Sequence, residues 1–409
     1  MEYRRIVCAL AIGLVATGAG FSQPAAPRPL LSAGQPVDWW FVFKFNTKSF
    51  PGCGGTAQRA CIFGGTPQTY KEGFGQQFAL ASSENAKLTM GGGCVGDTTK
   101  DPVGATFDQV YNGSYFYAIW NDQFKGDPEK DAETPWGHSK GMVAWNGAGE
   151  GFVMQVSTPS WPAAGSKSHP RKTDGNTLGC VKDDDVEVSQ HFFALRLTKD
   201  DLATVLKAVQ NASVATAPKN LQVVKNGGPA DIQQLVNGLG VESKSTGATM
   251  AKLSTGVRLI SKPSALHVPV WQLVSAELGG IPLRAATWWE GPKIPSTTAS
   301  TKMGCWDKNL GKPGAVEIAT SGQFGGKTLG LLGGACTDCN HAKVGVSTDA
   351  GSHLSIFGDM NQQGDITGKD CKSSQNGRGG LFYVLDNATL FAGVKSLIQG
   401  STGGTGGSN

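Results

Sequence analysis

The sequence has no long run of basic residues, no hydrophobic run beyond its N-terminus long enough to span a membrane, and no Gly-X-Y period. Its 36 lysines and arginines nearly balance 32 aspartates and glutamates, for a net charge of +4. This balance excludes a protein that coats nucleic acid through charge alone. The 58 glycines without a period exclude collagen and indicate a turn-rich globular protein.

The N-terminus predicts a signal peptide over residues 1–23. Arg4 and Arg5 precede an apolar stretch over 6–16 that is too short to cross a bilayer. We therefore expect export to a periplasm, the medium or a lysosome-like compartment, without stable membrane association. Removing Cys8 with the signal leaves eight of nine cysteines, and an even number in an oxidising compartment predicts disulfides. The spacing does not fix their pairing.

Aromatic and β-branched runs predict strands, and apolar residues at helical spacing predict fewer helices. A capping box at Thr198 precedes one such helix over 202–209, a second follows Pro229, and a third covers 389–399. The Gly/Ser-rich tail over 400–409 is expected to be flexible. Strands with a few interspersed helices predict a mixed α/β protein. The strands are predicted at residues 37–45, 114–120, 141–145, 151–157, 186–197, 344–347, 353–357 and 381–385.

One short motif occurs twice. His138-Ser-Lys140 recurs as His341-Ala-Lys343, and a short apolar run follows each copy. We expect two copies of one half-site, over about 37–212 and 303–399, separated by the central stretch. Residues i and i+2 of a strand point to the same face, so each histidine would project beside its lysine.

Two imidazoles and two ammonium groups suit cleavage of a phosphodiester without a metal or another cofactor. The lysines would stabilise charge on the phosphorus oxygens. One neutral imidazole would attack phosphorus, and the other, protonated, would give its proton to the leaving oxygen and then activate water. Because imidazoles have a pKa of about 6.5, this division of roles favours a mildly acidic working pH.

Seven sequence blocks follow one another along the chain: VDWWFVFKF, YAIWNDQ, TPWGHSKGMVAW, VSTPSWP, NHAKVGVS, IFGDMNQQG and GRGG. The blocks and their order resemble deoxyribonuclease II, a branch of the phospholipase D superfamily. The resemblance implies one catalytic region over 24–399, built of two similar halves. Each half would have a β-sheet flanked by helices, with the active site at their pseudo-twofold interface. It also implies an endonuclease that cuts DNA through a phosphohistidine and leaves 3′-phosphate ends.

The resemblance also assigns roles to individual residues. It implies four catalytic side chains, which are His138, Lys140, His341 and Lys343. Further phosphate contacts are expected downstream of each motif, from Asn361, Ser157 and Ser160. An acid that the superfamily places after the lysine is replaced here by Trp145 and Thr348, and the next residues, Asn146 and Asp349, are predicted to support the imidazoles. Which imidazole attacks stays open.

Three alternatives remain at this point. Cys336-x-x-Cys339 before His341 matches half of a zinc site. A lipid phosphodiesterase would use the same four catalytic residues. A non-catalytic binding protein could present Trp39-Trp40 or Trp288-Trp289 to carbohydrate.

For the nuclease, DNA contacts are expected through phosphates, with low sequence specificity. The sequence leaves the oligomeric state open.

Overall fold

A computed structural model describes residues 1, 25–53, 62–64, 76–96, 98–124, 129–165, 177–178, 180 and 187–403. Apart from residue 1, the predicted signal peptide lies outside these ranges, as does the tail beyond 403. The described residues form two large sheets, one small hairpin and five α-helices. The predicted mixed α/β class is confirmed.

The first sheet is built from strands between residues 39 and 225. Its strands lie in the order β3-β2-β1-β7-β6-β5-β4-β8, and neighbouring strands are antiparallel. The central strands are buried on both faces, which explains their continuous apolar sequences. The strands are β1 (Trp39–Lys44), β2 (Phe78–Ser82), β3 (Thr89–Met90), β4 (Phe116–Asn121), β5 (Lys140–Trp145), β6 (Gly151–Val156), β7 (Gln190–Leu197) and β8 (Val224–Lys225).

The second sheet begins within the central stretch that separates the two motifs. Its order is β12-β11-β15-β16-β17-β10-β9, with only the β11–β12 pair parallel. Strands β13 (Ser321–Phe324) and β14 (Lys327–Gly330) form a separate hairpin. The strands of the sheet are β9 (Thr249–Lys252), β10 (Arg258–Lys262), β11 (Leu283–Ala286), β12 (Val316–Ile318), β15 (Val344–Ser347), β16 (Leu354–Gly358) and β17 (Gly380–Asp386).

The helices begin at recognisable sequence signals. The Thr198 side chain accepts from the Asp201 N–H while the Asp201 carboxylate accepts from Thr198, so the predicted capping box is present. Asp101 caps another helix that opens on a proline. The helices are α1 (Pro102–Tyr111), α2 (Lys199–Asn211), α3 (Ala230–Asn237), α4 (Val270–Glu277) and α5 (Ala388–Leu397).

The two sheets pack face to face through aromatic rings. Phe357 of β16 stacks on Phe41 of β1 and on Phe193 of β7, with ring centroids 4.4 and 4.7 Å apart. Tyr383 of β17 lies 5.6 Å from Phe193. One apolar core therefore contains residues of both sheets, and the strand ends of both sheets meet at its margin.

Every cysteine in the described ranges takes part in a disulfide. The pairs are Cys53–Cys94, Cys305–Cys371 and Cys336–Cys339, and Cys180 is also disulfide-bonded. The disulfides agree with the prediction for an exported chain. Since Cys336 and Cys339 are bonded to each other, their thiolates are not available as zinc ligands.

Replacing Cys305 and Cys371 together by serine is expected to lower the free energy of unfolding by about 4 kcal/mol, because this bridge spans 66 residues of sequence. Denaturant titration under oxidising conditions measures the loss. The matched control is the Cys336→Ser/Cys339→Ser protein, whose bridge spans three residues and should contribute about 2 kcal/mol. Equal losses in the two proteins would contradict the loop-length argument.

Candidate functional site

The first His-Lys motif lies where β5 begins. Lys140 is the first residue of β5 and pairs with Asn121 of β4, while His138 precedes the strand. The Lys140 ammonium donates to Asp122 Oδ1 at 2.6 Å, and Arg378 Nη2 donates to Oδ2 of the same carboxylate at 2.6 Å. The three charged side chains are buried. One carboxylate thus neutralises part of a buried double positive charge.

The charges of this cluster shift each other's protonation. Burial raises the pKa of Asp122, but Lys140 and Arg378 outweigh burial and hold that pKa well below its usual range. Burial lowers the pKa of Lys140, and Asp122 opposes this effect. These two cations therefore hold Asp122 in its anionic form, and the anion favours the charged form of Lys140.

The second His-Lys motif lies directly before β15. The Lys343 ammonium donates to the His341 carbonyl at 2.6 Å, and the Lys343 main-chain N–H donates to His191 Nδ1 at 3.2 Å. His191 is fully buried, and burial lowers its pKa to about 3. It is a neutral acceptor that positions the Lys343 backbone.

Each imidazole is oriented by a main-chain carbonyl that follows a strand of the opposite sheet. His138 Nδ1 lies 2.7 Å from the carbonyl of Asp359, after β16, and His341 Nδ1 lies 2.8 Å from the carbonyl of Ser157, after β6. A carbonyl oxygen only accepts, so each Nδ1 carries the proton and each Nε2 presents a lone pair. Lys343 Nζ is also 3.1 Å from His341 Nδ1, but both are donors, so this contact is not a hydrogen bond.

The main chains of the two histidines cross the interface in the same way. The N–H of His138 donates to Gly379 O, before β17, and the N–H of His341 donates to Ser189 O, before β7, each at 2.8 Å. Two matched hydrogen bonds therefore fix each histidine to the other sheet.

The two motifs are close enough to act on each other electrostatically. Burial first, and then the lysine of its own motif, lower the pKa of each imidazole well below 6.5. Lys343 also lowers the pKa of His138, while Lys140 and the His138 ring lower that of His341. Asp122 opposes the shift at His138. The structure thus brings His138, Lys140, His341 and Lys343 into one cluster, in which each histidine residue is 5 % exposed.

The Asp359 carboxyl group lies beneath the first motif. It accepts from Ser139 Oγ at 2.5 Å, from Gln155 Nε2 at 3.0 Å and from the Leu381 N–H at 3.2 Å. Burial nevertheless raises its pKa from 3.8 to about 7. The Asp359 carbonyl thus contacts His138, and its side chain connects the loop of His138 to β6 and β17.

Asp359 is expected to make the folded protein less stable as the pH rises. Its folded pKa of about 7 exceeds the usual 3.8, so its contribution is complete below about pH 4 and is lost as the pH passes about 7, up to about 4 kcal/mol. Asp359→Asn should remove this loss. Unfolding titrations of both proteins between about pH 4 and 8 test it, and parallel stability curves would contradict it.

The expected phosphate-binding residues lie near the motifs to different degrees. Ser157 contacts His341 through its carbonyl, and its hydroxyl donates to Gln190 Oε1 at 2.6 Å. Asn361 lies two residues after Asp359 and donates to Gln363 Oε1 at 3.0 Å. Ser160 is buried, with a positive φ of 54°, and its hydroxyl donates to a main-chain carbonyl.

Asn146 and Asp349 lie at the opposite ends of β5 and β15 from the motifs. The Asn146 side chain accepts from two N–H groups of the turn between β5 and β6. Asp349 accepts from Gly351 N and Ser352 Oγ in the turn between β15 and β16. The structure therefore does not bring these two side chains to the imidazoles, and main-chain carbonyls set the tautomers instead.

The carbohydrate alternative fails for one of its two tryptophan pairs. Trp39 and Trp40 are buried in β1 and have no face to offer a ligand, whereas Trp288 and Trp289 are half-buried.

No cluster of three or more metal-ligating side chains occurs among the described residues. Within the same residues, no helix is both long and apolar enough to cross a membrane.

Sequence reasoning did not assign four residues that hold the cluster together, namely Asp122, His191, Asp359 and Arg378. Three of them lie in blocks that the resemblance had already used, YAIWNDQ, IFGDMNQQG and GRGG. The sequence blocks therefore contained a signal that could have identified these three residues as part of the site. Their partners come from distant parts of the sequence, so their roles could not be read from local spacing.

Two packed sheets with a buried cluster of imidazole and ammonium groups form a mixed α/β fold with a candidate site for hydrolysis. Comparison with protein families is more specific: the chain matches the family Deoxyribonuclease II over residues 29–402. The chain belongs to this family and is a deoxyribonuclease. It is also similar to Cell-death-related nuclease 7 of Caenorhabditis elegans, with 23% identity over 381 residues, which cover 89% of this chain and 84% of the relative.

Proposed function

We propose that this chain is a metal-independent endonuclease that hydrolyses DNA through a phosphohistidine, at acidic pH, and leaves 3′-phosphate ends. The observation that carries the proposal is the reciprocal orientation of His138 and His341. Each ring has its Nδ1 proton committed to a carbonyl of the opposite sheet. Each Nε2 is then the atom that can attack phosphorus or exchange a proton.

A phospholipase D-like arrangement of two halves is supported by a repeated strand order. The order β1-β7-β6-β5-β4 in the first sheet has the same connections and antiparallel pairing as β10-β17-β16-β15-β11 in the second. Helices α1 and α4 follow the first strand of each set, and α2 and α5 follow the last. On this correspondence, the second half begins before β10.

The register of the strands supports a pseudo-twofold axis through the cluster. In each half, the residue after the lysine of the motif has a partner on the neighbouring strand. Ser157 lies two residues beyond that partner in the first half, and Asp359 lies two residues beyond it in the second half. The two residues therefore occupy equivalent places. Their carbonyls are the ones that hold His341 and His138. The same exchange of contacts in both directions is what a twofold relation between two half-sites requires.

The proposed reaction proceeds in two balanced steps. One neutral Nε2 attacks phosphorus, and the other imidazole, protonated, gives its proton to the departing 5′ oxygen. The 3′ side of the strand stays on the enzyme as a phosphohistidine. Water then gives a proton to the second imidazole and attacks phosphorus, which releases a 3′-phosphate and restores the first ring. Lys140 and Lys343 stabilise negative charge on the phosphorus oxygens in both steps.

Acidic working conditions follow from the same electrostatics. The reaction needs one protonated imidazole, and the pKa of both rings lies well below 6.5. The fraction of enzyme with one charged ring therefore rises as the pH falls. Asp122 raises the pKa of His138 and a substrate phosphate adds further negative charge, so both favour the protonated form.

Phosphate contacts and export are further parts of the proposal. Asn361 and Ser157 lie beside the carbonyls that orient the rings and are the better placed to contact the non-bridging oxygens, with Ser160 further along the same loop. Export through a signal peptide is supported by the disulfides of the described chain.

The proposal is tested with plasmid DNA in the presence of a chelator, over a range from about pH 4 to pH 8. We expect nicking and linearisation that persist in the chelator and increase towards acidic pH. The products should have 5′ hydroxyl ends, which a kinase can label without prior phosphatase treatment. Their 3′ ends should be extended by a polymerase only after a phosphatase has removed the 3′-phosphate. Cleavage of a phospholipid but not of DNA would favour the lipid phosphodiesterase instead.

A further inference from the structure

A tryptophan forms one wall of the cluster, and a second tryptophan follows it in sequence. Residues 287–294 follow β11, and the Trp288 ring lies 5.0 Å from the His341 ring, centroid to centroid, with the two planes at 75°. Trp288 and Trp289 are both half-buried, and the exposed Lys293 holds its ammonium 5.0 Å from the centre of the Trp289 ring. The Trp288 indole therefore lies beside a proposed catalytic imidazole, and the Lys293 charge lies against the ring of the next residue in sequence.

The segment that carries these rings is anchored at several points. Trp289 Nε1 donates to the Ile294 carbonyl at 2.7 Å, and Gln363 Nε2 donates to the Glu290 carbonyl at 2.7 Å. A Cβ on Gly333 would lie 2.2 Å from the Trp289 nitrogen, so only glycine permits this close packing. The segment is thus fixed between the loop before His341 and the loop after β16.

In the part of the first half that the structure describes, the equivalent place holds a carboxylate and not an indole. The residue after each lysine also has a partner on a second neighbouring strand, which is β4 in the first half and β11 in the second. Asp122 and Trp288 each lie two residues beyond that partner and so occupy the same position. The first half places a carboxylate there, in ion pairs with Lys140 and Arg378. The second half places an indole there. Two half-sites that both bind one phosphate thus differ in what they offer next to it.

We propose that Trp288 and Trp289, with Lys293, form a nucleoside subsite that stacks the base next to the scissile phosphate and contacts the adjoining phosphate. This inference rests on the proposed function. Every nucleobase has a π-face, so stacking on indole binds any sequence. Lys293 supplies a sequence-independent phosphate contact on the same side. The subsite aligns the strand at His341 without reading its sequence.

The test combines protein variants with oligonucleotides that carry one abasic residue, moved along the strand. With unmodified DNA, Trp288→Leu should lower kcat/KM at least about tenfold, the scale of one base–aromatic contact. Trp288→Phe should retain most of it. On the oligonucleotide that lacks the stacked base, wild type and Trp288→Leu should cleave at equal rates. Trp306→Leu, which replaces a partly buried tryptophan packed on another apolar cluster, is the matched control and should show no such coupling.

Two results would overturn the subsite in different ways. An equal loss for Trp288→Leu on normal and abasic strands would mean that the indole acts only by packing against His341. Unchanged kcat/KM in Trp288→Leu would mean that it contributes nothing. Failure of the wild-type protein to cut any unmodified DNA would instead overturn the proposed function itself.

Discussion

Replacing either His138 or His341 by alanine is expected to abolish DNA cleavage, with a loss of at least about 10⁴-fold, as for other enzymes that lose a covalent nucleophile or its proton-transfer partner. Both steps of the proposed reaction need both rings, so neither variant can complete a turnover. The measurement is plasmid cleavage at acidic pH in the presence of a chelator. Full activity in either variant would remove that histidine from the mechanism.

His353→Ala is the matched control for this experiment. The His353 ring packs edge-on against Phe391 of α5, with centroids 5.4 Å apart, and belongs to neither motif. Its loss should leave cleavage unchanged. An oligonucleotide with a good leaving group separates the roles of the two essential rings, because the attacking histidine can be phosphorylated even when the acid is missing. The variant that still accumulates a phosphohistidine retains the nucleophile.

Replacing Lys140 or Lys343 by methionine is expected to lower kcat/KM by about 10²- to 10³-fold each, because each removes a positive charge that stabilises the transition state. Methionine keeps the length of the buried side chain and so limits the loss of packing. The loss should fall on kcat more than on KM, since the negative charge on the phosphorus oxygens grows in the transition state. A rise in KM with kcat unchanged would instead make the lysines ground-state contacts.

The surroundings of Lys140 require a second variant. Without Lys140, the buried Asp122 carboxylate keeps Arg378 as its partner, and the remaining pair is neutral, so folding should survive. The second variant is therefore Lys343→Met, which leaves the Asp122–Arg378 pair and Lys140 in place. The free energy of unfolding of both variants is measured beside their activity. Near wild-type stability with lost activity would mean that the lysine acts on substrate, whereas a Lys140→Met protein that loses stability and activity together would owe its loss to the structure.

Local sequence patterns located 8 of the 17 strands and 3 of the 5 α-helices in the described part of the chain. All eight predicted strands are present, with ends shifted by a few residues, as are the three predicted helices. The strands that were missed are short, such as β8 and β12, or lie in the central stretch without aromatic residues, such as β9. Helix α4 was missed because it is buried almost all round, so no polar face marks its period.

The candidate site was predictable only where chemistry and sequence are adjacent. The repeated motif predicted His138, Lys140, His341 and Lys343, which the structure brings together. The predicted supports failed to reach them because strand direction carries Asn146 and Asp349 to the far ends of β5 and β15. The residues that do support the imidazoles are far from them in sequence. His138 and Asp359, for example, are 221 residues apart, so local spacing cannot predict their contact.

Each imidazole takes its orientation from a loop of the other sheet, so the pair exists only after the two sheets have closed on each other. A nascent chain completes its first sheet at β8, long before the ribosome has added the Asp359 carbonyl that holds His138. Until the last strands fold, such a chain has histidines but no aligned pair. The proposed pair of catalytic imidazoles is therefore completed only after the last strands of the second sheet have been synthesised.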